Sequence, residues 1–295
     1  MINFEYYSED AFKLYKDAVE RKKDEKEKAK LKRIEDKVKS AYDDYNLAFD
    51  QKQVHTLSPS KLFLEEEKEL LEGLYSSNNK IVKTIRQWID THNKRTYLNK
   101  CPYCTLNTAN TTEHILPKSD YKEFAVHALN LIPCCSECNS KKNDNFKDEK
   151  SGKPLFLNFY YNILPKEQFL FVDLSFDKRG VVNFTYRLDN INHIDVELFD
   201  LIKSHYEKLD LLTRFKTKAI SEYPEIDSSL HFFSQLGDID IDVFLTRLKK
   251  KAIEDAKSYG YNYWKVVLYL ALADSDDYKA YMNKDRKNPA SHSLP

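Results

Sequence analysis

Glycine is scarce in this sequence of 295 residues, five in all, and that scarcity argues against an architecture built from many tight turns. A mostly helical chain is expected instead. Long apolar runs are missing too. Stretches such as Trp264 to Ala273, interrupted by Lys265, fall far short of the roughly 20 residues a membrane span requires. The opening residues hold no basic segment followed by an apolar run, so no secretory signal is visible and a cytoplasmic protein with no membrane partner is expected. A surplus of one charge is also lacking: Lys plus Arg and Asp plus Glu number 47 each. This excludes a global positive field and confines any basic nucleic-acid surface to a local cleft. Cysteine is absent outside Cys101 to Cys138, where all five fall. A disulfide framework distributes its cysteines along the chain it staples, so the clustering points to metal.

What remains reads as three regions: 1–95 helical, 96–148 carrying the cysteines and a polar loop, and 149–295 carrying a hairpin and further helices. Residues 9 to 48 place Phe12, Tyr15, Ala18 and Val19, then Leu31, Ile34, Val38, Ala41 and Tyr45, at three- and four-residue steps, predicting a helix with one buried stripe. The charged stretch from Glu20 to Arg33 mixes both signs and reads as its solvated face. Ser58-Pro59 predicts a helix start, and Asn78-Asn79 separates that helix from one carrying Ile81, Ile85, Trp88 and Ile89. Phe169 to Ser175 and Val181 to Arg187 predict a β-hairpin around Phe176-Asp177-Lys178-Arg179-Gly180. Helices follow over 195–223, 239–259 and 263–273, then a polar tail. The aromatic pieces Phe156 to Pro165 and Tyr261 to Lys265 are assigned to core.

Cys101-Pro-Tyr-Cys104 and Cys135-Ser-Glu-Cys138 are paired CxxC knuckles, the pattern that completes tetrahedral thiolate ligation of structural Zn²⁺. Cys134 is left over and assigned to core packing. Between the knuckles lies Glu113-His114-Ile-Leu-Pro-Lys-Ser119. Then come Asn130-Leu131 and the run Cys135-Ser-Glu-Cys138-Asn139-Ser-Lys141-Lys142.

This wording resembles the HNH, or ββα-metal, nucleases, in which a two-stranded β element and a following helix clamp one catalytic divalent ion while a zinc site braces them. The resemblance implies His114 as general base, Glu113 and Asn139 as ligands of Mg²⁺ or Mn²⁺, and Asn130 as the residue that orients the loop of the base. Lys141 and Lys142 are expected to hold phosphates. The family usually carries aspartate, one methylene shorter, where this chain has Glu113, so the resemblance implies an ion placed slightly differently here. His127 matches no motif position and is kept out of the site.

The fold expected is therefore mostly α with a small α+β insert: a helical N-terminal module, a zinc-stapled ββα-metal core and a C-terminal β-hairpin plus helices. The function expected is metal-dependent hydrolysis of phosphodiester bonds, in DNA. More narrowly, the motifs and helical flanks resemble the HNH subunits that accompany ATPases in Septu-like bacterial anti-phage systems, which implies an ATPase partner. A homo-oligomer is left open, and the alternative is a catalytically inactive zinc-binding subunit for nucleic-acid binding or assembly.

Overall fold

The computed structural model describes residues 3–75, 80–93, 100–178, 180–235 and 240–287. The chain divides into two compact units, 2–164 and 165–295, so the first helical region and the cysteine segment share one unit.

In the first unit the stretch that reads as one helix is three: α1 (Ala11–Glu20), α2 (Glu25–Arg33) and α3 (Glu35–Asp50). The break after α1 has a local cause. The Asp24 carboxylate accepts from the backbone N–H groups of Lys26 and Glu27 at 2.8 and 3.0 Å, capping a new helix rather than continuing the old one. The stripe from Tyr15 to Tyr45 is nonetheless buried, while Glu20 pairs with Lys28 and Lys32 near the surface. The helix expected from Ser58-Pro59 begins later, as α4 (Glu65–Glu72). Glu123 Oε1 takes the Ser60 N–H at 2.7 Å, and Glu67 Oε2 takes the Leu64 N–H at 2.8 Å. These side chains hold 60–64 outside the helix and close its start at Leu64. After α5 (Lys80–His92) come β1 (Thr111–His114), β2 (Leu131–Cys134) and α6 (Ser136–Lys142). The expected separator Asn78-Asn79 lies outside the described residues.

β1 and β2 pair antiparallel with Thr111 opposite Cys134 and His114 opposite Leu131. The segment that joins them packs on α3. Phe124 and His127 meet Tyr42 and Tyr45, the His127 ring lying 4.3 Å from each tyrosine ring. Tyr160 joins this core, and its hydroxyl donates to Leu131 O at 2.6 Å.

The second unit holds the expected hairpin, β3 (Leu170–Phe176) against β4 (Val182–Leu188), with Leu170 opposite Leu188. Asn262 fixes its entry: Oδ1 accepts from Phe169 N–H and Leu170 N–H at 2.7 and 3.0 Å. The helix expected over 195–223 is instead α7 (Val196–Lys208) and α8 (Leu211–Gln235), parted at Asp210, which adopts φ 51°. α8 runs on through Pro224, which removes one intrahelical donor and crowds the carbonyl of the preceding turn. After α9 (Ile241–Tyr259) and α10 (Trp264–Ala273), the expected polar tail contains α11 (Asp276–Lys287). Its charged composition concealed two anchors, Tyr278 and Met282, both fully buried. Trp264 is buried as expected, whereas Tyr261 is exposed.

His127 gives this fold a pH dependence. Burial lowers its pKa from the ordinary 6.5 to about 3. Between those values the unfolded chain holds the extra proton, so stability is complete above 6.5 and is lost as pH falls toward 3. Urea unfolding at pH 5, 6 and 7 should show the wild type losing about 1.4 kcal/mol per pH unit below 6.5 relative to His127→Gln. The other histidines are common to both proteins and cancel; parallel pH profiles would refute this assignment.

Candidate functional site

The cysteine quartet is assembled by two turns that the hairpin brings together. In the first, Thr105 N–H donates to Cys101 O at 2.8 Å, and Thr105 itself sits at φ 58°. A β-branched residue adopts that conformation only where its surroundings impose it. In the second, β2 ends at Cys134, and Cys135 caps α6 by accepting from Cys138 N–H at 3.4 Å. The result places Cys101, Cys104, Cys135 and Cys138, all buried, with their sulfurs within 4.8 Å of one another. Cys104 Sγ and Cys135 Sγ are 3.8 Å apart. A regular tetrahedron with Zn–S bonds of about 2.3 Å has edges of about 3.8 Å, so the donor set fits a metal such as zinc. Cys134 Sγ approaches Cys101 Sγ at 3.9 Å and bonds to Cys135 O at 3.4 Å, but stands outside the quartet.

Glu113 and His114 end β1, and both are buried. His114 Nε2 lies 3.0 Å from Ala125 O. A carbonyl only accepts, so the ring proton sits on Nε2 and the lone pair on Nδ1. Burial, above all, lowers the His114 pKa to about 4; the Ala125 contact and Glu72 oppose the shift, and the charges of Lys118 and Lys142 add to it. The Tyr75 ring meets the imidazole edge to face at 4.5 Å.

Glu113 is partnered by Lys142. Its Oε1 accepts from Lys142 Nζ at 2.8 Å, and the same ammonium donates to His114 O at 2.9 Å. Burial pushes the Glu113 carboxyl up, and Lys142 works against that shift. The expectation that Lys142 holds a substrate phosphate needs correction, because the side chain is 1% exposed and its charge is already directed inward. Lys141, the neighbouring residue of α6, is exposed.

Asn130 is fully buried behind the base. Its Oδ1 accepts from Leu116 N–H at 2.8 Å, and its Nδ2 donates to Leu116 O and Phe124 O at 3.1 and 3.2 Å. Its own carbonyl accepts from Ile115 N–H at 2.9 Å. These bonds tie the turn that follows His114 to the start of β2, and Tyr45 OH adds a further contact to Oδ1 at 3.2 Å. Asn139, in α6, donates from Nδ2 to Thr112 O at 3.3 Å, which sets its amide beside β1. The carboxylate of Glu113 and the amide oxygen of Asn139 are donors of the hard kind that Mg²⁺ and Mn²⁺ take. Sequence reasoning did not find Tyr45, Tyr75 or the Ala125 carbonyl. Nothing in their local wording marks them, because each reaches the site across the fold.

No family model matches the chain, and no solved structure matches it. Among curated proteins, protein ea31 of Escherichia phage lambda is 26% identical over 250 residues, covering 78% of this chain and 80% of that protein. Septu protein PtuB of Bacillus thuringiensis is 36% identical over 94 residues, 29% of this chain. The chain thus matches 34% of the length of PtuB.

The quartet makes a direct prediction about zinc. Cys104→Ser and Cys138→Ser should lose the roughly one equivalent of zinc of a Cys₄ site and melt at lower temperature, since thiolate ligation contributes folding free energy. Cys134→Ser should retain the metal. Zinc content by a chromogenic chelator, with thermal melts alongside, decides it; equal zinc in all three variants would overturn the ligand assignment.

Proposed function

We propose that the protein is a metal-dependent endonuclease of the HNH type that hydrolyses phosphodiester bonds in DNA, with His114 as general base. One observation carries the reading: the His114 ring is held in a single tautomer by the Ala125 carbonyl, 3.0 Å from Nε2. Its remaining lone pair is on Nδ1, and burial keeps the ring uncharged at neutral pH. A neutral, oriented imidazole is ready to take a proton from an attacking water.

Glu113 and Asn139 would hold the divalent cation through a carboxylate and an amide oxygen. When bound, Mg²⁺ or Mn²⁺ supplies Lewis-acid polarisation of the phosphate and stabilisation of the leaving oxygen. Lys142 orients the Glu113 carboxylate and the backbone of His114 together, a different role from phosphate binding. Asn130 keeps the base in register by fixing residues 115 and 116. Exposed Lys141 remains a candidate phosphate contact. The similarity to Septu protein PtuB and the motif wording support a role in anti-phage defence, in which an ATPase partner restrains or triggers cleavage.

A second reading, a zinc-binding subunit without catalysis, is favoured by the Lys142–Glu113 ion pair, which satisfies the carboxylate without a metal ion. Plasmid cleavage with Mg²⁺ or Mn²⁺ separates the two. The wild type should nick or linearise plasmid, and His114→Ala should be slower by about 10²–10⁴-fold while retaining its zinc. Undiminished cleavage by His114→Ala would sink the mechanism. A wild type inert with both ions would leave the second reading.

A further inference from the structure

The segment immediately after the base carries two lysines whose charges are covered. Lys118 Nζ lies 2.7 Å from Glu72 Oε1. Lys122 Nζ lies 3.0 Å from Glu65 Oε1 and 3.7 Å from Glu72 Oε2. Both carboxylates belong to α4, and the charges of Lys118 and Glu72 are both felt at the His114 ring. The Lys118–Glu72 pair therefore lies within electrostatic reach of the base, and Lys122 joins it through Glu72.

α4 is an unusual helix to lay there. Its sequence, EEEKELLE, presents five glutamates, and among its residues only Leu71 is buried. Of its other acidic groups, Glu67 pairs with Lys37 at 2.9 Å and Glu66 with Lys30 at 3.4 Å, while the charge of Glu69 is felt at Lys122. The helix is thus an acidic ribbon between two groups of lysines, held with little apolar anchorage. The cover is weak by its own physics. Lys118 and Glu72 keep 41% and 33% of their side-chain exposure; in the second pair Glu65 keeps 68% and Lys122 19%. Pairs this exposed contribute little to stability, so a polyanion that brings several phosphates can displace them. With a net charge of zero, attraction of a polyanion rests on local groups such as these rather than on a long-range field.

We propose that Lys118 and Lys122 are phosphate contacts for the nucleic-acid substrate, and that Glu72 and Glu65 of α4 occupy them in the free protein as an acidic mask. The identity of the polyanion as DNA rests on the nuclease reading; the mask itself does not. On this assignment the substrate backbone replaces the carboxylates, and α4 tunes affinity by competing for the same two ammonium groups.

The test is binding of the full chain to fluorescein-labelled duplex DNA by anisotropy, without added divalent cation so that cleavage does not contribute. Glu72→Gln frees both lysines from one carboxylate. It should tighten Kd by roughly 3- to 10-fold at about 50 mM salt and steepen the log Kd against log salt slope by about one. Glu66→Gln removes the same charge from the same helix but leaves Lys118 and Lys122 covered, so its Kd should move by less than about twofold. Adding Lys118→Gln to Glu72→Gln should abolish most of the gain. Equal effects of Glu72→Gln and Glu66→Gln, or a gain that survives Lys118→Gln, would overturn the proposal. Tighter binding by Glu72→Gln in a protein that never cleaves supports the mask and overturns the nuclease reading instead.

Discussion

The candidate site depends on one constraint, the closure of the Cys101–Cys104 turn onto the start of α6. Strands of four residues, such as β1 and β2, do not hold a hairpin together unaided. The four sulfurs within 4.8 Å of one another connect the segment before β1 to the helix after β2, so a metal bound there crosslinks the two sides of the β1–β2 pair. Glu113 and His114 lie at the end of β1 and Asn139 directly after the last cysteine. A shift of one residue in the β1–β2 pairing would move the carboxylate and the imidazole to the wrong faces.

Around that closure the unit tolerates an unusual amount of buried polarity. A carboxylate, an imidazole, a carboxamide and an ammonium are all nearly withdrawn from water at Glu113, His114, Asn130 and Lys142. Each is retained because a partner is built in: Lys142 serves Glu113 and the His114 carbonyl, Ala125 serves the ring, and the Leu116 backbone serves Asn130. Such a network is costly to leave half satisfied, so it fixes one arrangement of the loop rather than several. That rigidity is what a general base requires, since a proton acceptor that wanders loses most of its effect.

The helices before the cysteines form the back wall of the same unit. α3 presents Tyr45 to Asn130 and, with Tyr42, encloses His127. α4 supplies the carboxylates that face Lys118 and Lys122. The helical region before the cysteines is therefore engaged with the loop that carries the base. The second unit, built on β3, β4 and α7 to α11, has its own core around Phe184, Tyr206 and Phe215.

The sequence by itself determined the helical class, the C-terminal hairpin and the cysteine quartet, because spacing along a chain dictates which residues share a helix face, a strand or a knuckle. The candidate groups at Glu113, His114, Asn130 and Asn139 came from the resemblance of the motif wording to a family rather than from spacing. Helix boundaries escaped it at Asp24, Leu64 and Asp210, where side-chain capping and left-handed backbone decide between continuing and stopping. Tertiary structure alone decided that Lys142 faces inward to Glu113, that Ala125 fixes the His114 tautomer, and that acids of α4 cover the lysines after the base. Those facts lie in distances between residues far apart in sequence, and burial turns each into a charge state or an orientation that no local pattern encodes.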